Sequence, residues 1–352
     1  MSVVIDALNI RIGGGAVLLN YVALQLQKNK IEFILLTNNF INLSAELEEK
    51  SIRRFELKNY FNRNQILKKY LTPDKNILFC FGNFPPSFRI KGVKVYTFFQ
   101  NYILLPNYES SNETIKEKAG LIIRRLYTRL FLKNTDFFIF QTKNISEKFV
   151  EAYKISSSRC ITIPFFDEDK IIAIKKVCES QELKVNKNDF IYVSHPSPHK
   201  NINLLLEAWG ILLAKNINPK LFLTIPDYNI EYYHELRHKI ENLNNQGGRI
   251  VNLGSLSYEE VLKKTYQCGY AIYPSLSESF GLGLIESYYM GLKVIASDLP
   301  YVHAVIAPSY IFEPNSAQSI VDAVEKTMSI NLPQPKLLVK NQINDLIQLL
   351  AS

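Results

Sequence analysis

Short apolar runs alternate with longer amphipathic stretches along nearly the whole chain. Residues 2–8 (SVVIDAL) form a β-rich run, a loop occupies 9–15, and Val17, Leu18, Tyr21, Val22, Leu24 and Leu26 then recur at helical spacing. Residues 32–37 (EFILLT), 76–81 (NILFCF), 93–98 (VKVYTF) and 137–141 (FFIFQ) each read as a buried strand, and a helix is expected over 144–153. The second half repeats the rhythm. A strand over 190–194 (FIYVS) leads through the loop 195–201 (HPSPHKN) into a helix over 202–213, and further strands are expected over 221–225, 250–253, 269–273 and 294–296. Pro333 and Pro335 interrupt the chain before a last apolar helix over 337–350. Strands that are apolar throughout and alternate with helices predict parallel sheets covered on both faces, an α/β fold of two doubly wound domains.

Length supports that division, because 352 residues exceed what one core usually fills. A composition shift after Pro164 and the polar stretch 180–189 place the expected domains at 1–166 and 167–334, with a terminal helix in 335–352. Neither an apolar run of about 18 residues nor a charged leader with a cleavage site stands in the sequence, so a cytosolic protein is expected. Cys80, Cys160, Cys178 and Cys268 are far apart and read as free thiols. The net charge of +8 suits anionic ligands, an anionic membrane surface or nucleic acid.

That charge is partly concentrated. Residues 113–133 set Ile115, Ala119, Ile122, Leu126 and Leu130 at helical spacing, with Lys116, Lys118, Arg124, Arg125, Arg129 and Lys133 against Glu113 and Glu117 at the polar positions. The stripe can face the core, with a solvated charged face outside. As a basic amphipathic helix it can also lie on an anionic bilayer.

Three loops carry candidate chemistry. Gly13, Gly14 and Gly15 would let backbone approach a phosphate, or serve simply as a tight turn. Lys200, with His195 and His199, lies in the loop before the helix at 202. In the third, SESFGLGLIE, Glu278 and Glu286 bracket seven residues with two glycines at a strand–loop–helix junction. Carboxylates accept hydrogen bonds from vicinal hydroxyls such as those of a hexose or a ribose, and a diphosphate needs cations and amide donors. In parallel sheets ligands collect at the carboxyl ends of strands, which adds Gln100, Asn101 and Thr142.

Two readings compete. His234, Glu235 and His238 spell the H-E-x-x-H zinc-hydrolase pattern, with Glu259 or Glu260 as a third ligand. Charge alone suggests a nucleic-acid-binding protein, though the cations are spread along the chain without a recognition element.

The third loop and the helix and strand after it, Glu278 to Glu286, then Gly291, Val294, Ile295, Ala296, Ser297 and Asp298, resemble the retaining nucleotide-sugar glycosyltransferases of family 4. Lys200 extends the resemblance, and the N-terminal glycine loop extends it more weakly. It implies the GT-B fold, two Rossmann-like domains facing a cleft with a C-terminal helix crossing back to the first. The N-terminal domain would take the acceptor and the C-terminal domain the donor. By matching position, Glu278 would meet the hexose hydroxyls, Glu286 the ribose hydroxyls and Lys200 the diphosphate. Amides of Phe280, Gly281 and Leu282 would help hold the donor, with Gly13, Gly14 and Gly15 closing on its phosphates. His195 stands where many members have Arg, and Gln100 and Asn101 stand on the acceptor side where many have His-Asp.

The expectation is therefore a metal-independent, cofactor-free hexosyltransferase using a UDP- or GDP-linked donor. Its partner would be a glycan acceptor, polyprenyl-linked, in O-antigen or capsule synthesis at an anionic membrane surface, without nucleic acid.

Overall fold

A computed structural model describes residues 2–10, 13–56, 60–72, 77–106, 108 and 115–352. The chain divides into two compact units, residues 1–167 with 340–352, and residues 168–339.

The first unit holds strands β1 (Ser2–Ala7), β2 (Glu32–Asn38), β3 (Ile52–Phe55), β4 (Ile77–Cys80), β5 (Lys94–Phe98), β6 (Phe137–Phe140) and β7 (Cys160–Thr162). Its first helices are α1 (Gly14–Lys28), α2 (Tyr60–Tyr70), α3 (Ile115–Phe131) and α4 (Lys143–Tyr153). The strands form one parallel sheet in the order β3-β2-β1-β4-β5-β6-β7. Alternation along β1 explains the two covered faces. Val3, Ile5 and Ala7 join the core with α1, while Val4 joins the opposite core with Ile66 and Leu67 of α2. Asp6 also occupies that second face, buried, and pairs with buried Arg63 of α2 at 2.5 Å. Arg63 also donates to the carbonyls of Phe84 (2.8 Å) and Pro85 (3.0 Å), which holds the loop after β4.

The second unit begins with α5 (Glu168–Ser180). It continues through β8 (Asn186–Tyr192), α6 (Ile202–Ala214), β9 (Leu221–Leu223), α7 (Glu231–Asn245), β10 (Ile250–Asn252) and α8 (Tyr258–Tyr266). Next come β11 (Cys268–Tyr273), α9 (Leu282–Met290), β12 (Lys293–Ser297), α10 (Pro300–His303), β13 (Ile306–Ala307), β14 (Tyr310–Phe312), α11 (Ala317–Ser329) and β15 (Lys336–Leu337). Its parallel sheet runs β10-β9-β8-β11-β12-β14. Both sheets have the order of a doubly wound dinucleotide-binding fold, reversing direction between their first and fourth strands.

Helix α12 (Ile343–Ala351) returns to the first unit, where Ile343, Leu346, Ile347 and Leu350 complete the core under α1. The expected helix over 337–350 starts later than the apolar pattern suggests, because residues 336–337 pair antiparallel with β13. For the same reason the return to the first unit falls between Val339 and Lys340, beyond 334. The polar stretch 180–189 is not wholly a connection either: β8 starts at Asn186 and carries its exposed polar residues before the apolar half.

Helix α3 corrects the core-facing reading of its apolar stripe. Leu121 and Thr128 are buried, and Arg125 donates to the carbonyls of Ile103 (2.8 Å) and Tyr108 (2.9 Å), so this face packs inward. Ile122, Leu126 and Leu130 are exposed. Satisfying two loop carbonyls with a guanidinium turns the helix away from its most apolar orientation. Glu113 lies outside the described residues.

Candidate functional site

Adjacent parallel strands β8 and β11 flank the point where the second sheet changes direction, so the loops after them lie side by side. The amide of Leu276 donates to the carbonyl of His199 at 2.8 Å and ties one loop to the other. The Tyr192 hydroxyl, at the end of β8, lies 2.6 Å from Ser275 Oγ and 3.1 Å from the Lys200 carbonyl. Tyr301 donates to the Ser275 carbonyl at 3.0 Å. On this frame Lys200 Nζ meets Glu278 Oε1 at 2.5 Å, and Ser275 Oγ donates to the same oxygen at 2.9 Å. Both charged side chains are largely shielded, 17% and 18% exposed.

The two glycines of SESFGLGLIE do different work. Gly281 caps α9 at φ +76°, a left-handed conformation that suits glycine, and leads the chain into the helix. Gly283 allows close approach, because a Cβ there would stand 2.6 Å from the Tyr273 hydroxyl. That hydroxyl lies 3.0 Å from Ser287 Oγ, one turn along the same helix. Phe280 is buried beside the turn, and Leu282 opens α9, whose first-turn amides point back toward the loop. Ser277 Oγ in this loop is buried without a hydrogen-bond partner among the described residues, a donor that a ligand would satisfy.

Glu286 lies one turn into α9 and is only 7% exposed. Burial pushes its carboxyl up to about 7, while the Tyr258 side chain of α8 pulls the other way. The histidines of the Lys200 loop are shifted the opposite way. Burial lowers His199 to about 4, helped by the charge of Lys200, and burial lowers His195 as well. At neutral pH the loop's positive charge therefore resides on Lys200. His195 is held by the Tyr233 hydroxyl of α7, 3.1 Å from Nδ1.

In the first unit, Gly13 adopts φ +75°, ψ −159° before α1, a conformation open only to glycine. A Cβ on Gly15 would lie 3.2 Å from Gln100 Oε1, so Gln100 leans on the glycine turn. Its Nε2 donates to the Phe81 carbonyl at 2.9 Å, and its amide to Asn83 Oδ1 at 2.7 Å. Gly14 is the first residue of α1. Asn101 serves its own backbone, capping the next turn by accepting from the Ile103 amide at 3.3 Å. Thr142 precedes α4 at the end of β6.

The zinc pattern falls on the solvated face of α7, whose buried residues are Tyr233, Leu236 and Ile240. His234 is engaged at both ring nitrogens, by Asn229 and Arg237 at 3.0 Å each, and His238 receives Asn242 at 3.2 Å. Glu260 closes the capping box of α8 with Ser257, and Glu259 pairs with Lys263 at 2.6 Å. Among the described residues no group of three metal-ligating side chains converges.

Sequence reasoning missed the hydroxyls that frame the site. Tyr192, Tyr273 and Tyr301 count as core residues in an apolar pattern, and nothing in their spacing announces that the Tyr192 OH joins the two loops while those of Tyr301 and Tyr273 hold the Ser275 carbonyl and Ser287.

The chain shares the GT-B fold, with its two Rossmann-like units, with solved glycosyltransferase structures. Anabaena HepE in complex with UDP and glucose matches with a TM-score of 0.66 at 15% identity, over 93% of this chain and 90% of that one. Sucrose-phosphate synthase from Thermosynechococcus elongatus matches with a TM-score of 0.71 at 14% identity, over 94% and 90%. By sequence, the O-antigen chain mannosyltransferase RfbU of Salmonella typhimurium LT2 is 26% identical over 212 residues, 58% of this chain and 56% of that protein. The serotype-specific mannosyltransferase WbdA of Escherichia coli is 21% identical over 194 residues, 53% of this chain and 24% of that protein. The match thus spans little more than half of the first relative and a quarter of the second. Residues 174–345, just under half of the chain and the part that holds Lys200, Glu278 and Glu286, match the family model described as Glycosyl transferases group 1.

Proposed function

We propose that this protein is a retaining glycosyltransferase that moves a hexose from a nucleotide-sugar donor to a glycan acceptor. The observation that carries the reading is the Lys200–Glu278 contact at the switch point of the second sheet, inside the segment that matches the group 1 model. Lys200 would neutralise the diphosphate as it leaves, with the first-turn amides of α9 sharing that charge. Glu278 would accept from hexose hydroxyls and Glu286 from ribose hydroxyls. Because Lys200 and Glu278 already hold each other, donor binding exchanges a carboxylate for a diphosphate at the lysine and frees the carboxylate for the sugar.

Retention results from attack on the face the diphosphate leaves. The acceptor oxygen forms the new bond to the anomeric carbon as the bond to phosphate breaks, and the departing phosphate oxygen takes the acceptor proton. The chemistry asks for no metal and no protein nucleophile, since a fixed cation and a helix end supply the electrostatic stabilisation. The names of RfbU and WbdA support mannose as the hexose and O-antigen synthesis as the setting. HepE, solved with UDP and glucose, supports a nucleotide-linked donor. A lipid-linked acceptor puts the enzyme on the inner face of the membrane as a peripheral protein. Among the described residues no helix is long and apolar enough to cross one.

A panel of UDP- and GDP-hexoses, scored by nucleotide release and product mass, tests the proposal. Lys200→Ala and Glu278→Ala should each lower kcat/KM for the best donor by about 10²–10³. Transfer at the wild-type rate by both variants would refute the site.

A further inference from the structure

Helix α3 turns its most apolar face to solvent. Ile122, Leu126 and Leu130, spaced four residues apart, stand on one face at 54%, 53% and 67% exposure, with Ile123 beside them at 63%. Four large apolar side chains within nine residues form a contiguous patch, unlike scattered exposed residues that need no explanation. The opposite face is already occupied: Leu121 and Thr128 are buried, and Arg125 is bonded to the 103 and 108 carbonyls. The helix therefore cannot roll its stripe inward without giving up those bonds.

The charge around the stripe identifies what covers it. Lys118, Arg124, Arg129 and Lys133 are exposed, and from Lys118 to Lys133 the sequence has no acidic residue. On a helix of 3.6 residues per turn, Lys118 and Arg129 fall along one flank of the stripe. Among the described residues no ion pair engages any of these four cations. A second copy meeting this face across a twofold axis would set cations against cations. A surface that is apolar within and anionic at its rim matches both properties, and a bilayer containing acidic lipid is such a surface.

We infer that the Ile122–Ile123–Leu126–Leu130 face of α3, with its flanking lysines and arginines, is a docking surface for an anionic lipid bilayer. The side chains would enter the headgroup boundary with the helix lying in the plane of the interface. The assignment rests on the reading that the acceptor is lipid-linked, which gives the surface its purpose.

Flotation of the full-length protein with vesicles of phosphatidylcholine alone, or of phosphatidylcholine with phosphatidylglycerol, tests it. Wild type should float with the acidic vesicles, bind the neutral ones weakly and lose binding as salt rises. Each half-exposed apolar side chain should contribute about fivefold to partitioning. The triple variant Ile122→Ser/Leu126→Ser/Leu130→Ser should then bind on the order of a hundredfold more weakly, with a wild-type circular dichroism spectrum and melting temperature. Lys118→Glu/Arg129→Glu should weaken binding to acidic vesicles alone.

Failure of wild type to float, or equal flotation of the triple variant, would overturn the inference. So would a wild-type dimer in sedimentation equilibrium that the triple variant dissolves, since a second copy would then occupy the face. Nucleotide release with a water-soluble acceptor separates this from the transferase reading. A triple variant that transfers sugar but does not float supports the surface, and a wild type that floats yet transfers nothing supports the surface while overturning the reaction.

Discussion

Replacing Glu286 by Gln tests whether α9 carries a carboxyl that the fold would be more stable without. The side chain is 7% exposed, and its carboxyl is raised from 4.5 to about 7 chiefly by burial. A raised pKa means that the native state holds the proton more tightly than the unfolded chain. The native state is therefore favoured below the unfolded value near 4.5, and that advantage is lost as pH rises toward 7. The difference between about 7 and 4.5, at about 1.4 kcal/mol per pH unit, comes to about 3 kcal/mol, nearly all of it lost by neutral pH. Glutamine matches the shape of the protonated acid and can still meet the Tyr258 hydroxyl, but it never ionises. Thermal melts of wild type and Glu286→Gln at pH 4.5 and pH 8 read the effect directly. At the lower pH the two should melt together. At the higher pH the variant should be more stable, by roughly 2–4 °C for each kcal/mol in a unit of this size. The same variant should bind the nucleotide more weakly, because the proposed ribose hydroxyls donate to a carboxylate, and wild-type affinity should rise with pH up to about 7. A variant that melted below wild type at pH 8 would refute the reasoning, since it would mean the ionised carboxylate is stabilised where it lies.

Three glycines give sharper, purely structural tests. Gly283→Ala would drive a methyl to 2.6 Å from the Tyr273 hydroxyl and should cost about 1–3 kcal/mol; adding Tyr273→Phe should recover part of it, so a urea double-mutant cycle showing no coupling would contradict the packing. Gly13→Ala has open space around it but a φ of +75°, so it should lose about 1–3 kcal/mol to backbone strain, whereas Gly15→Ala, which only presses on the Gln100 side chain at 3.2 Å, should change stability far less while displacing Gln100.

Much of the architecture was legible because parallel strands are buried on both faces and must be apolar throughout. Residues 2–8, 32–37 and 93–98 stand out for that reason, and so do the residues that became β11 and β12. The strands that escaped are short or partly solvated. β3 (IRRF) is the sheet's edge and carries two arginines, and β7 (CIT) is the opposite edge with three residues. Edge strands need cover on fewer sides, so selection for hydrophobicity is weaker and the pattern fades. Helix α3 is a different case. Its periodicity located the helix but left open whether the apolar stripe faces the core or a bilayer; the stripe faces outward because Arg125 packs inward by satisfying carbonyls at 103 and 108, and a hydropathy pattern counts a guanidinium as surface.

The candidate site divides along the same line between what side-chain type announces and what geometry decides. Glu278 and Glu286 were legible as a pair through spacing alone, yet the structure gives them unlike environments. Glu278 holds Lys200 and Ser275, while Glu286 sits buried, opposed only in part by Tyr258. Two carboxylates eight residues apart in one loop–helix unit are therefore not interchangeable acceptors. The first is charge-compensated by Lys200 and, on the proposed reading, would exchange that cation for sugar hydroxyls; the second is buried with its carboxyl pushed up to about 7, and on the same reading a hydroxylated ligand would favour its ionised form. That asymmetry comes from strand order, because β8 is hydrogen-bonded beside β11 and delivers Lys200 to the loop but not to the body of α9. The neighbour of a strand is set by long-range pairing, which no local window of sequence contains. The same adjacency places Tyr192 of β8 against Ser275 after β11, so the hydroxyl that braces Glu278's partner comes from a residue 83 positions away.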